Sequence, residues 1–101
     1  MSFVAECFWT GVRADDLSAL DQRAERSTAG LAGEGEQVRY LGSLLVREDE
    51  VVLCFFEGSA ASVRKAAEQA EIPFDRILET IGKRWPASPA VTEDVPPTEK
   101  A

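Results

Sequence analysis

The sequence predicts an α+β domain with the element order β-α-β-β-α-β: a four-stranded antiparallel sheet carrying two helices on one face. Three observations lead there. Within residues 1–86 the hydrophobic spacing alternates between strand-like and helix-like segments, six in all. Glycines and prolines fall near several of the places where one pattern gives way to the next. Finally, 101 residues, 45% of them apolar, suffice for one hydrophobic core but not for two.

Phe3 to Trp9, rich in aromatic and β-branched residues, reads as the first strand, and Thr10-Gly11 punctuates its end. Asp15 or Asp16 then caps a helix whose inward positions are Leu17, Leu20, Ala24, Thr28 and Leu31, spaced three or four apart. Gly30, Gly33 and Gly35 dissolve it into a loop. Val38 to Val46 and Val51 to Glu57 read as a hairpin of two strands joined by Arg47-Glu48-Asp49-Glu50, although the favoured Asn-Gly or Asp-Gly turn is missing. Ser59 caps a second helix with Val63, Ala66, Ala67 and Ala70 on one side, a narrow stripe suited to close packing on the sheet. Pro73 ends that helix, and Ile77 to Ile81 supplies the fourth strand. This order is the split βαβ, or ferredoxin-like, arrangement. Residues 1–86 form the expected domain. Residues 87–101, with Pro89, Pro96 and Pro97, three acids and no aromatic, read as a disordered acidic tail.

Composition excludes several classes of function. The net charge is −7, from 11 Lys and Arg against 18 Asp and Glu, which argues against nucleic acid or an anionic membrane as partner. Histidine is absent. That removes Ser–His–Asp and Cys–His catalysis and every metal site built on imidazole. Two cysteines, Cys7 and Cys54, are too few for a disulfide-stapled scaffold, and both lie in apolar runs as reduced core thiols would. No stretch resembles a signal peptide, and the longest apolar run, Val51 to Phe56, is far short of a membrane span. A cytoplasmic location is the expectation.

The face of the sheet away from the helices carries the most information. A half-covered sheet should alternate apolar and polar residues, yet Leu44-Leu45-Val46 and Val51 to Phe56 are apolar in both parities. One parity packs on the helices, and the other would leave a large apolar patch in water. A second copy stacked sheet to sheet covers it, giving a homodimer of the α+β-barrel kind. The competing explanation is that the tail or Trp85 folds back over that face.

Among chemistry-bearing residues, Glu6 stands alone between Ala5 and Cys7. It is a general acid or base, a ligand-orienting group, an edge position exposed to solvent, or a structural carboxylate partnered by a residue such as Arg39 or Arg76. Tyr40 and Glu57 could share its space if three strands have the right parity. Cys7 and Cys54 match no local metal motif. Asp15, Asp16, Asp21 and Glu25 mix with Arg23 and Arg26 as on a solvated helix face. Glu48-Asp49-Glu50 lacks the oxygen count of a calcium loop, and Gly30, Gly33 and Gly35 do not form a phosphate cradle.

With these elements placed, residues 3–81 resemble a family of small ferredoxin-like nickel-binding proteins. The resemblance rests on Val4-Ala5-Glu6, on Val38-Arg39-Tyr40-Leu41-Gly42-Ser43, on Cys54, and on Val63-Arg64-Lys65-Ala66-Ala67 running to Ile72-Pro73-Phe74-Asp75-Arg76-Ile77, the most specific stretch. It implies the fold and a dimer. It also implies a histidine in the second strand and another in the second helix, where this chain has Gly42 and Ala66. The expectation is therefore a family member without its nickel site. A small ligand pocket would lie near Tyr40, Gly42, Cys54 and Ala66, with Glu6 as its polar group and no metal or cofactor. The leading functional expectation is a homodimeric module binding a small ligand or a protein partner. The alternative is a cofactor-free dimeric α+β-barrel enzyme, a cyclase, isomerase or monooxygenase, using Glu6 or Tyr40. Vestigial nickel binding through cysteine and carboxylates is a third possibility.

Overall fold

The computed structural model describes residues 1–81; the tail, Pro86 and Trp85 lie outside the described residues. Its elements are β1 (Ser2–Phe8), α1 (Ala14–Gly33), β2 (Val38–Val46), β3 (Val51–Gly58), α2 (Ala60–Gln69) and β4 (Arg76–Thr80). The sheet runs β2-β3-β1-β4, antiparallel at every pairing, so the ferredoxin-like order is present. β1 and β3 are central, and β2 and β4 are edges.

The helices form where the spacing requires. Leu20, Ala24, Thr28 and Leu31 of α1 are buried, and Leu17 packs at their margin. Full burial of Leu20 alone contributes about 1.5–3 kcal/mol. The helix begins two or three residues earlier than its acids suggest: Arg13 is the cap, and Asp16 reaches back to accept from the Arg13 backbone N–H at 2.8 Å. It also continues through Gly30, because ending there would expose Leu31, which is 2% exposed. Gly35, at φ +91°, completes the exit. Ser59 caps α2, its Oγ accepting from Ser62 N at 3.1 Å. The alanine stripe lets α1 reach the α2 backbone: Ser27 Oγ donates to the Ala66 carbonyl at 2.9 Å, and Arg23 Nε to that of Ala70 at 2.8 Å.

The core lies between helices and sheet. Phe3, Ala5 and Cys7 of β1 join Val52, Cys54 and Phe56 of β3 beneath Val63, Ala66 and Ala67. Residues of the opposite parity form the other face. By register they make four rungs: Val46, Val51 and Phe8; then Leu44, Leu53, Glu6 and Arg76; then Gly42, Phe55, Val4 and Leu78; then Arg39, Glu57, Ser2 and Thr80. Gly58 is fixed by close approach: a Cβ there would sit 2.1 Å from the Gln37 carbonyl oxygen.

Candidate functional site

The residues expected to line one pocket are divided between the two faces of the sheet. Tyr40 lies opposite Phe56 and packs on the core, whereas Gly42 lies opposite Phe55 on the other face. Strict alternation would put Tyr40 and Gly42 on the same side, but a bulge between them shifts the register. Glu6 shares the open face with Gly42, one rung away and across β3, about 10 Å laterally at ordinary strand spacing. Cys54 and Ala66 have no exposed surface and are core residues of the helix side. The expected single pocket joining Glu6 to Tyr40, Cys54 and Ala66 is therefore corrected: the sheet itself separates them.

Glu6 and Glu57 each have an arginine partner. Arg76 Nε donates to Glu6 Oε1 at 2.6 Å, and Arg39 Nη2 to Glu57 Oε1 at 2.8 Å. Arg76 and Arg39 are largely exposed, so each pair contributes about 1 kcal/mol or less. They sit at opposite corners of the open face, on β1/β4 and on β2/β3. Glu57 does share the face of Glu6, while Tyr40 does not. Within one protomer, Glu6 and Tyr40 cannot act on one reacting atom.

The helix side holds a group that the sequence did not reveal. Asp21 Oδ1 accepts from the Tyr40 hydroxyl and, at 2.7 Å, from Ser43 Oγ. The Tyr40 ring packs at a tilt on Phe56, with centroids 5.2 Å apart. Burial, reinforced by the Asp21 carboxylate, holds the Tyr40 phenol above its ordinary value. Asp21 reads as one acid among several, but it stands four residues after Leu17 and three before Ala24, on the margin of the buried stripe. That position was the available signal.

The stretch Ile72 to Ile77 acquires a physical reason. Ile72 is buried, and Arg64 lies over the Phe74 ring at 5.6 Å. Asp75 accepts from Phe8 N at 2.7 Å and donates its own N–H to the Glu6 carbonyl at 2.8 Å, tying the start of β4 to β1. Arg76 then reaches Glu6. Among the described residues, no three or more cysteine, aspartate and glutamate side chains converge as a metal site requires, and no helix is long and apolar enough to cross a membrane.

This architecture defines a small ferredoxin-like α+β protein with helices over one face of its sheet and an apolar band on the other. The chain belongs to the nickel-responsive SCO4226-like protein family, whose family model matches residues 6–80. Its fold is similar to the crystal structure of SCO4226 from Streptomyces coelicolor A3(2), with a TM-score of 0.60 and 21% identity over 83% of this chain and 100% of that one. No curated protein matches the sequence.

Proposed function

We propose that the protein is a non-catalytic homodimeric binding module that dimerises through its open sheet face and does not use the nickel chemistry named for its family. The observation that carries the dimer is the state of that face. Phe8 is 61% exposed and Leu44 45%, with Val46 and Leu78 also open on the same face and Leu53 half-buried among them, while Val4 is buried. Large apolar side chains left open on one face support a docking surface there. The two ion pairs on the face neutralise their own charges, so a second copy need not bury an unpaired one. A two-fold pairing uses the same patch twice and leaves no further apolar face for growth.

The residues present do not fit a histidine-based nickel site. Gly42 and Ala66, where the family resemblance implies imidazoles, supply no donor atom and lie on opposite sides of the sheet. A Cβ added at Gly42 would meet nothing within 4 Å. Calorimetric titration of untagged, chelator-treated protein with Ni²⁺ tests the metal half of the proposal. The expected result is no binding in the micromolar range, and micromolar affinity would overturn it.

A further inference from the structure

The two acid–base pairs of the open face have bonding capacity to spare. Glu6 accepts from Arg76 through Oε1 alone, and Glu57 from Arg39 through Oε1 alone, so each carboxylate keeps a second oxygen without a hydrogen bond among the described residues. Arg76 uses only its Nε and Arg39 only its Nη2, which leaves most of each guanidinium's donors unused there, and both side chains stay largely exposed. The pairs stand on a diagonal. From Glu6–Arg76 to Arg39–Glu57 is two strands across and two rungs along. At ordinary sheet spacings that is roughly 17 Å, and the midpoint falls between Phe55 and Val4.

A two-fold contact between two copies of this face is reciprocal: whatever one corner meets, the partner's corner meets in turn. With the axis parallel to the strands, Glu6 and Arg76 land on the partner's Leu53 and the partner's Leu44. With the axis across the strands, along the Gly42–Leu78 rung, Arg39 and Glu57 land on those same leucines. Either placement presses charged groups with unmet capacity onto apolar side chains, which costs free energy. An oblique axis over Phe55 and Val4 avoids both, because it lays Glu6–Arg76 over the partner's Arg39 and the partner's Glu57. The strands of the two sheets then cross at roughly 70°, near the orthogonal class of sheet packing. The same placement sets Leu53 over the partner's Gly42, where an added Cβ would meet nothing within 4 Å.

We propose that the second copy docks in this oblique register, so that the Glu6–Arg76 pair of each protomer joins the Arg39–Glu57 pair of the other in a four-charge cluster on either side of an apolar centre. Glu6 lies nearest the partner's Arg39, and Arg76 nearest the partner's Glu57. This register rests on the dimer proposed above and adds its selectivity. The apolar band attracts any apolar face, whereas reciprocal charged corners select a second copy of this chain.

Charge reversal that keeps each pair intact tests the register in the full chain. One variant carries Glu6→Arg with Arg76→Glu, the other Arg39→Glu with Glu57→Arg. Both keep the ion pair within the protomer, the composition and the net charge, but each meets the partner's unaltered corner with like charges. Sedimentation equilibrium, with far-ultraviolet dichroism to confirm the fold, should give each a dissociation constant at least about tenfold above wild type. The quadruple variant, and an equimolar mixture of the two double variants, should return to within about threefold of wild type, because reversed corners then meet reversed corners. Should a reversed pair not fold, Glu6→Gln, Arg39→Gln and their double read the same coupling: the double should lose less than the sum, and additive losses would overturn the register. A wild type that stays monomeric would overturn the dimer and the register together. A dimeric wild type whose double variants dimerise equally well, or whose quadruple variant and mixture stay weak, would overturn the register and leave the dimer standing.

Discussion

Replacing Tyr40 with phenylalanine removes one hydroxyl and leaves the ring on Phe56 in place. Asp21 Oδ1 then keeps one donor, Ser43, of its two. A hydrogen bond to a charged group contributes about 1.5–3 kcal/mol, and the partial exposure of this one puts the expected loss near the lower end, about 1–2 kcal/mol. Ser43→Ala removes the other donor and should cost about 1 kcal/mol. The double variant leaves that oxygen with neither hydroxyl, so its loss should exceed the sum of the two by about 0.5 kcal/mol or more. Urea unfolding at neutral pH and one fixed protein concentration reads these values. With a slope of about 1 kcal/mol per molar for a chain of this size, Tyr40→Phe should lower the midpoint by about 1–2 M. Single variants within about 0.3 kcal/mol of wild type, or a strictly additive pair, would refute the reading of Asp21 as a shared acceptor.

Two further predictions follow from positions with unusual surroundings. Gly58→Ala and Gly42→Ala both force an alanine into positive φ, at a cost of about 1–2 kcal/mol, but only the Gly58 Cβ meets backbone, at 2.1 Å. Thermal unfolding should therefore show Gly58→Ala to be the less stable by at least about 2 kcal/mol, and equal losses would contradict the close approach. Tyr40 is the only tyrosine in the chain, so tyrosinate absorbance reports its phenol alone. Because its folded value is raised, the associated stability is complete below the ordinary value of 10.0 and is lost as pH rises beyond it. Absorbance should thus rise together with loss of dichroism in strong alkali; an ordinary titration near 10.0 with the fold intact would count against the buried hydroxyl.

How much of this was legible in the sequence depended on the kind of information required. Leu17, Leu20, Ala24, Thr28 and Leu31 announce α1 because burial repeats with the helix, and the structure buries or half-buries all five. The two parities of β1 and β3 likewise separate the core face from the open face. Of the three glycines that could end α1, the structure uses Gly33, because the buried Leu31 carries the helix past Gly30. The site was harder to read. The bulge between Tyr40 and Gly42 is marked in the sequence by the glycine alone, at φ +129°, yet it reverses which face each position joins. Glu6 had two candidate arginines in the sequence, and only the strand register chooses Arg76 over Arg39. Asp21 resembled its exposed neighbours because helical spacing alone cannot show that Tyr40 and Ser43 arrive beside it from another strand.

The most direct measurement is the mass of the untagged protein in solution by sedimentation velocity across a range of concentrations. Dimerisation through the open face predicts a species of twice 11.0 kDa in wild type. It also predicts a folded monomer for Leu44→Asp, because the new carboxylate would lie in the apolar band without a partner. A wild-type chain that stays at 11.0 kDa at every concentration, or a Leu44→Asp variant that remains fully dimeric, would contradict the account.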